Sequence, residues 1–376
     1  MHYHIILTEK CNSECRYCYE KSLNEFDNSL NDRFKFDFTN PEKFSVDIKK
    51  LKKFISKDKD AVIVFYGGEP LLEIDIIKKI IDNIQVPFRM QTNGKLLKNL
   101  GTKYLNKIKK ILISIDGCKE VTDHNKGKGT YDLVIENINH ILKKGYKGEI
   151  IGRMTISQDY PEVYNEVINL IDAGFYSIHF QIDCGFFEND FDKEKFSNFV
   201  IKYNKSITNL IDFWIKEMKL GKVWRIYPFM GIVESLLNNE NGDQKGDKKS
   251  LLRCGAGHSG YTITTDGKII PCPIMNFMSD YVCGDLKSDP KELKKVLIKG
   301  DCLKCDYYNI CGGRCLYWNI TKLWPKEGNL LICKTIKHLI DGLEKKLPTI
   351  QRLIDEGLIK KKWFKYEKYF GPEIIP

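Results

Sequence analysis

The chain opens on HYHIIL at 2–7, a short run of apolar and β-branched residues, and runs of the same kind return five times. They are AVIVFY at 61–66, PFRMQT at 87–92, KILISI at 110–115, EIIGRMTI at 149–156 and SIHFQI at 177–182. Such runs, bounded by turn residues, predict strands. Between them apolar positions recur at helical spacing and predict helices over about 41–56, 71–84, 96–108, 130–144 and 161–173, with 192–220 as a sixth. Gly145 and Gly174 stand where helices should end, and Pro70 and Pro161 where helices should start. Strands alternating with helices predict an α/β protein with a parallel sheet, either open and doubly wound or closed toward a barrel. The pattern alone does not choose between these. Both collect their functional residues at the carboxyl ends of the strands.

After residue 220 the pattern changes. Residues 221–250 read as a linker or bridging region, and NNENGDQKGDKKS at 238–250 as an exposed polar loop. From Cys254 the chain is dense in Cys, Gly and turns, as expected of a small domain held by metal. Helical period returns over about 333–360. The expected domains are therefore 1–220, a linker at 221–250, a Cys-rich domain at 251–345 and a helical tail at 346–376.

With 376 residues, 42% apolar and 29% charged, the composition is that of a folded protein of about two domains. No run of apolar residues is long enough to span a membrane. The opening MHYHIILTEK has no basic stretch followed by an apolar core, so no signal peptide and a cytoplasmic location are expected. The net charge of +10 comes from Lys interleaved with Glu and Asp along the helices. That pattern reads as a solvated surface and predicts neither a nucleic acid nor a membrane as partner. The thirteen cysteines alter the picture most. Tight Cys clusters in an intracellular chain point to metal rather than disulfides.

Cys11, Cys15 and Cys18 form CxxxCxxC on the loop after the first strand. Three thiolates on one short loop can hold a cubane iron–sulfur cluster and leave one iron open to a small molecule. Zinc or plain burial are the competing readings, and three Cys without a fourth ligand nearby make a poor structural zinc site. This pattern, with the aromatic Tyr17 before the third Cys, resembles the radical S-adenosylmethionine (SAM) superfamily. The resemblance implies that Cys11, Cys15 and Cys18 hold a catalytic [4Fe-4S] cluster whose open iron chelates SAM. It further implies reductive cleavage of SAM to a 5′-deoxyadenosyl radical, which abstracts hydrogen from an unactivated carbon. Gly67-Gly68-Glu69-Pro70 resembles the family's GGEP motif, which holds the SAM amino group. There Gly allows close backbone approach, and a carbonyl or carboxylate accepts from an ammonium. Thr92-Asn93-Gly94 resembles the TNG motif, and Ser114-Ile115-Asp116-Gly117 the S-x-D-G motif. Lys126 stands where relatives commonly carry an Arg for the SAM carboxylate. Lys keeps the charge without the fork, so Lys126 or Arg153 is expected to fill that role. Ile182, ending the sixth strand, is a further expected SAM contact. The family fold is a partial (β/α)6 barrel, so the resemblance also selects between the two architectures.

Cys302-x2-Cys305-x5-Cys311-x3-Cys315, with Cys254 and Cys272 upstream and Cys333 downstream, resembles the seven-cysteine SPASM domain. The resemblance implies two auxiliary [4Fe-4S] clusters, a distal one on Cys302, Cys305, Cys311 and Cys333 and a proximal one on Cys254, Cys272 and Cys315. Gly260 occupies the position where some relatives place the fourth proximal ligand, which leaves Cys283 or an open site. A pair of zinc sites is the competing reading, which these spacings fit poorly. Cys118 and Cys184 read as ordinary small buried residues.

SPASM relatives act mostly on peptides and proteins, and the chain resembles an archaeal group of peptide-modifying radical SAM enzymes. The expected activity is oxidation or crosslinking of a peptide or small-protein side chain, as in the maturation of ribosomal peptides (RiPPs). It would be oxygen-sensitive, with an electron donor such as ferredoxin or flavodoxin. Sulfatase maturation fits less well, because those enzymes carry an Asp directly after a proximal Cys and here Cys272 is followed by Pro273. The alternative is tetrapyrrole side-chain modification, such as oxidative decarboxylation in the alternative haem pathway. Asp183, His179 and His258 are candidate bases.

Overall fold

A computed structural model of the chain describes residues 1–19, 29–183, 185, 190–239, 251–371 and 375–376. The strands form where the apolar runs lie: β1 His2–Ile6, β2 Val62–Tyr66, β3 Phe88–Thr92, β4 Ile108–Ser114, β5 Glu149–Ile156 and β6 Ser177–Ile182. Chain contacts divide the molecule into two compact units. The first holds Met1–Ile115, Lys119–Ile151 and Cys254–Leu297; the second holds Asp116–Cys118, Gly152–Arg253 and Ile298–Pro376.

In the first unit β1, β2, β3 and β4 are parallel neighbours in that order. Every residue of β2 is buried, as in a parallel strand covered on both faces. The helices of this unit are α1 Ser29–Arg33, α2 Ile48–Ile55, α3 Ile74–Asn83, α4 Thr102–Leu105, α5 Lys119–Lys126 and α6 Thr130–Lys143. Two are shorter than the sequence pattern predicts. α2 starts at 48 because Asp47 caps it, its side chain accepting from the Lys49 amide at 2.7 Å. The expected helix at 96–108 breaks into a 3-10 turn at Leu97–Asn99 and α4, separated by Gly101 with φ of 76°.

In the second unit β6 pairs in parallel with β7 Arg225–Ile226. Its helices are α7 Val163–Asp172, α8 Lys193–Lys219, α9 Tyr227–Asn239, α10 Tyr308–Cys311, α11 Leu316–Thr321 and α12 Lys326–Asp355. α8 and α12 pack against each other. Ile211 meets Gly342, and Lys346 pairs with Asp212 at 2.8 Å. Trp214 of α8 is fully buried among Phe229 and Phe364 and donates its indole N–H to the Trp224 carbonyl at 2.8 Å.

Three expectations need correction. The linker read over 221–250 contains α9, whose Tyr227, Phe229, Met230, Ile232 and Val233 are buried; residues 240–250 lie outside the described residues. The Cys-rich stretch divides: Cys254–Leu297 belongs to the first unit, because β8 Gly260–Ile263 pairs in parallel with β1. β8 then turns back through β9 Lys268–Ile270, which pairs antiparallel with β10 Gly284–Asp285. The helix expected from 333 begins at 326 and passes through Pro348, so the boundary expected at 345 falls inside α12. No helix among the described residues is long and apolar enough to cross a membrane.

Removing the Trp214 ring leaves a cavity in the α8 packing and takes one of two donors from the Trp224 carbonyl, which keeps the Ile226 amide at 2.9 Å. Trp214→Ala is therefore expected to cost about 3–5 kcal/mol. Chemical denaturation checks this, and a loss under about 1 kcal/mol would contradict a closely packed indole.

Candidate functional site

In the first unit the loop after β1 carries Cys11, exposed, with Cys15 and Cys18 half-buried. α5 stitches this loop in place. The Arg16 amide donates to the Asn125 carbonyl at 2.9 Å and Arg16 Nε to the His124 carbonyl at 3.0 Å. Lys126, only 4% exposed, sets its ammonium 4.8 Å over the Tyr17 ring and donates to the Tyr17 hydroxyl. From β3, Asn93 Nδ2 donates to Asn12 Oδ1 at 2.7 Å and Ser13 Oγ at 3.3 Å, and lies 3.8 Å from Cys11 Sγ. The structure thus brings together three sequence-predicted groups: the cysteine loop with Tyr17, Asn93 and Lys126. The helix α5 behind them was not foreseen; its short, mostly polar KEVTDHNK carries little apolar period.

The Gly67–Pro70 segment braces the loop's entry. The Gly68 amide donates to the Thr8 carbonyl at 2.9 Å and the Glu69 amide to the Lys10 carbonyl at 2.8 Å. A Cβ on Gly68 would overlap the Lys10 carbonyl, so only glycine lets the two backbones approach. Glu69 turns inward. Its carboxylate is fully buried and accepts from the Leu71 amide at 3.0 Å, Thr92 Oγ1 at 2.7 Å and the Asn93 amide at 2.8 Å. Burial pushes its carboxyl up to about 7, against the pull of those donors. Glu69 therefore ties the end of β2 to the end of β3. Pro70 starts the 3-10 turn Pro70–Glu73, and Ser114 ends β4 half-buried.

In the second unit Asp116 is buried and accepts from the Thr155 amide at 3.0 Å. Glu166 accepts from the Cys118 amide at 2.7 Å and packs on Gly117, whose φ is 109°. Arg153 donates to Gln181 Oε1 at 3.0 Å, and Ile182 lies in the core. Asp183 follows β6, and its amide donates to the Ile156 carbonyl at 2.9 Å. Its carboxyl is pushed up to about 8, first by burial, then by repulsion from Asp190 and Asp116, with Arg314 opposing. Asp190 is itself pushed up to about 6 by burial, although it accepts from Trp324 Nε1 at 2.5 Å. Asp190 and Trp324 were missed because they are far apart in sequence. Of the other candidate bases, His179 is fully buried within β6, and His258 Nδ1 shares a hydrogen bond with Ser259 Oγ at 2.8 Å.

Cys302, Cys305, Cys311 and Cys333 line one pocket of the second unit, with Tyr307 and Trp318. Burial pushes the Cys311 thiol up to about 11, and repulsion from Cys333 and Cys302 adds to it. Cys302 and Cys333 are raised for the same two reasons. Thiols that hinder each other's ionisation are a donor set that a cationic metal group would relieve. Among the described residues no three Cys, His, Asp or Glu converge tightly enough to hold a single metal ion. Cys254 and Cys272 belong to the first unit and Cys315 to the second. Cys283, also in the first unit, is buried; burial pushes its thiol up to about 12, and Sγ donates to the Tyr281 carbonyl at 3.4 Å. Cys118 is half-buried, and Cys184 lies outside the described residues.

Residues 5–180 match the family described as the Radical SAM superfamily. A cysteine-type anaerobic sulfatase-maturating enzyme of Clostridium perfringens is 24% identical over 333 residues, covering 81% of this chain and 85% of that protein. A solved structure described as native anSMEcpe with bound AdoMet and Cp18Cys peptide superposes with TM-score 0.67 at 17% identity, over 93% of this chain and 99% of that one. Streptococcus suis SuiB bound to precursor peptide SuiA superposes with TM-score 0.55 at 16% identity, over 87% and 73%. At these identities the superpositions speak for the fold, and they bear out the α/β partial barrel.

Gly68→Ala should push the Lys10 carbonyl and the cysteine loop out of place. The anaerobically reconstituted variant is expected to lose about four irons per chain, one cubane's worth. Full iron content in that variant would show that the loop tolerates the displaced backbone.

Proposed function

Because this chain is an enzyme of the radical SAM superfamily through its domain over residues 5–180, we propose that it cleaves SAM reductively and oxidises or crosslinks a peptide or protein side chain. The observation that carries this reading is the pocket ringed by Cys302, Cys305, Cys311 and Cys333, additional to the Cys11, Cys15 and Cys18 loop. Cys11, Cys15 and Cys18 would hold the SAM-binding cluster, and the four pocket thiols an auxiliary one, with a second auxiliary cluster implied by the SPASM-like cysteine pattern of the sequence. When bound, these groups would supply a 5′-deoxyadenosyl radical and a one-electron acceptor.

The chain's own residues do the rest. Asn93 and the Tyr17–Lys126 pair hold the cysteine loop against β3 and α5. The Gly67 and Gly68 backbone offers carbonyls to an ammonium, and the Lys126 charge lies beside the loop for a carboxylate. A side chain that has lost one hydrogen atom must lose one further electron and one proton to become a closed-shell oxidised product. Asp183 is the proton acceptor in this reading: it follows the carboxyl end of β6, where α/β sites gather, and its raised carboxyl titrates near working pH. The sulfatase-maturating relative supports a polypeptide substrate, while Pro273 after Cys272 sets this chain apart from that reaction.

Anaerobic reconstitution is expected to load about twelve irons, at four per cubane, and substitution of Cys11, Cys15 and Cys18 by Ala should leave about eight and abolish 5′-deoxyadenosine formation. About four irons in the unaltered protein, or deoxyadenosine from the triple variant, overturns the reading. Only the ionised Asp183 can accept a proton, so product formation should climb with pH through about 8. Asp183→Asn should remove that limb and uncouple deoxyadenosine from product; coupling that survives the substitution rules Asp183 out.

A further inference from the structure

A cavity of about 410 Å³ lies in the second unit, beside the 3-10 turn Gly300–Lys304, α11 and the start of α12. That volume falls within the range of pockets that take ligands. Trp318 and Trp324, 6% and 2% exposed, give it aromatic walls. Cys302 and Cys333 line it too, so it borders the four-cysteine pocket.

Three of its other lining residues are cationic. Lys299, Lys322 and Lys326 are all exposed, and no described carboxylate forms an ion pair with any of them. Among the described lining residues Asp301 is the one acidic residue, and the nearby Glu327 is engaged with Lys193 at 2.7 Å. Lys322 follows α11 with φ of 45°, a left-handed position where glycine is the ordinary occupant. Exposed Leu330 adds an apolar edge. Two lining residues carry buried polar atoms with no hydrogen-bond partner among the described residues, the Trp318 indole N–H and the Asn329 amide oxygen. One needs an acceptor and the other a donor, and a peptide bond offers both.

We propose that this cavity binds an acidic, partly apolar segment of the peptide substrate. Its carboxylates would meet Lys299, Lys322 and Lys326, its apolar side chain would lie against Trp318 and Trp324, and its backbone would satisfy Trp318 and Asn329. The concave shape favours an inserted segment over the flat contact of a folded redox protein. The inference rests on the peptide-modifying reading and names the substrate class that reading leaves open.

The test is fluorescence anisotropy of a fluorescein-labelled Glu-Glu-Leu-Glu-Glu-Leu peptide with the anaerobically reconstituted enzyme, without SAM. Binding should saturate, weaken as salt rises, and fall roughly tenfold in each of Lys322→Gly and Lys326→Glu. Neither variant threatens the fold: glycine suits a left-handed position, and an acidic residue suits the first turn of a helix. Equal binding of the Gln-for-Glu peptide, or unchanged affinity in both variants, overturns the proposal. So does slowed reduction by a reduced flavodoxin with peptide affinity intact, which would assign the lysines to an electron carrier. Acidic-peptide binding that persists in a protein modifying no peptide would sink the peptide-modifying reading and leave the cavity assignment standing. Peptide oxidation indifferent to both variants would do the reverse.

Discussion

The first unit depends on a carboxylate that never reaches solvent. Glu69 sits at the end of β2 and takes two backbone amides and the Thr92 hydroxyl. A buried carboxylate without such donors would be strongly disfavoured, so the ends of β2 and β3 hold one geometry. Gly68, one residue earlier, lies against the Lys10 backbone, and Asn93, whose amide Glu69 holds, reaches Asn12 and Ser13. The cysteine loop is thus positioned by strand ends, and it inherits their rigidity. A thiol set meant to grip a metal group benefits from such support.

In the second unit a different constraint operates. Burial, with repulsion from neighbouring acidic groups, raises the proton affinity of Asp183 and of the Cys302, Cys311 and Cys333 thiols. Asp183 and Asp190 are opposed by Arg314 and the Trp324 indole, which are too few to neutralise them. The four thiols face one another around a pocket. Such arrangements destabilise a fold unless something binds there or a proton is exchanged, and they cluster at functional sites for that reason.

Much of this was legible beforehand where local pattern determines structure. All six strands form within about two residues of the runs that predict them, because a β-rich run flanked by turns has few alternatives. Gly145 and Gly174 take φ of 86° and 96° after their helices, as expected of C-terminal glycines. The errors came where local pattern competes with tertiary packing. YPFMGIVESLLNN lay within the stretch read as a linker, yet it buries Phe229 against Trp214 as α9. Lys326–Asp355 continues through Pro348, with buried apolar residues on both sides of it, up to Leu343 before and at Ile350 and Leu353 after.

The sequence by itself determined the alternation of strands and helices, the spacing of the cysteines and the family to which those motifs belong. These depend on residue order and on side chains a few positions apart. Only the tertiary structure decided that Glu69 turns inward, that β8 joins β1, that Lys126 covers Tyr17, and that Asp183 meets Asp116 and Asp190. It also decided that two tryptophans and three lysines from different segments line one cavity. Most of these join residues tens to hundreds of positions apart. Burial and Coulomb interactions depend on distance through space, which residue order does not carry.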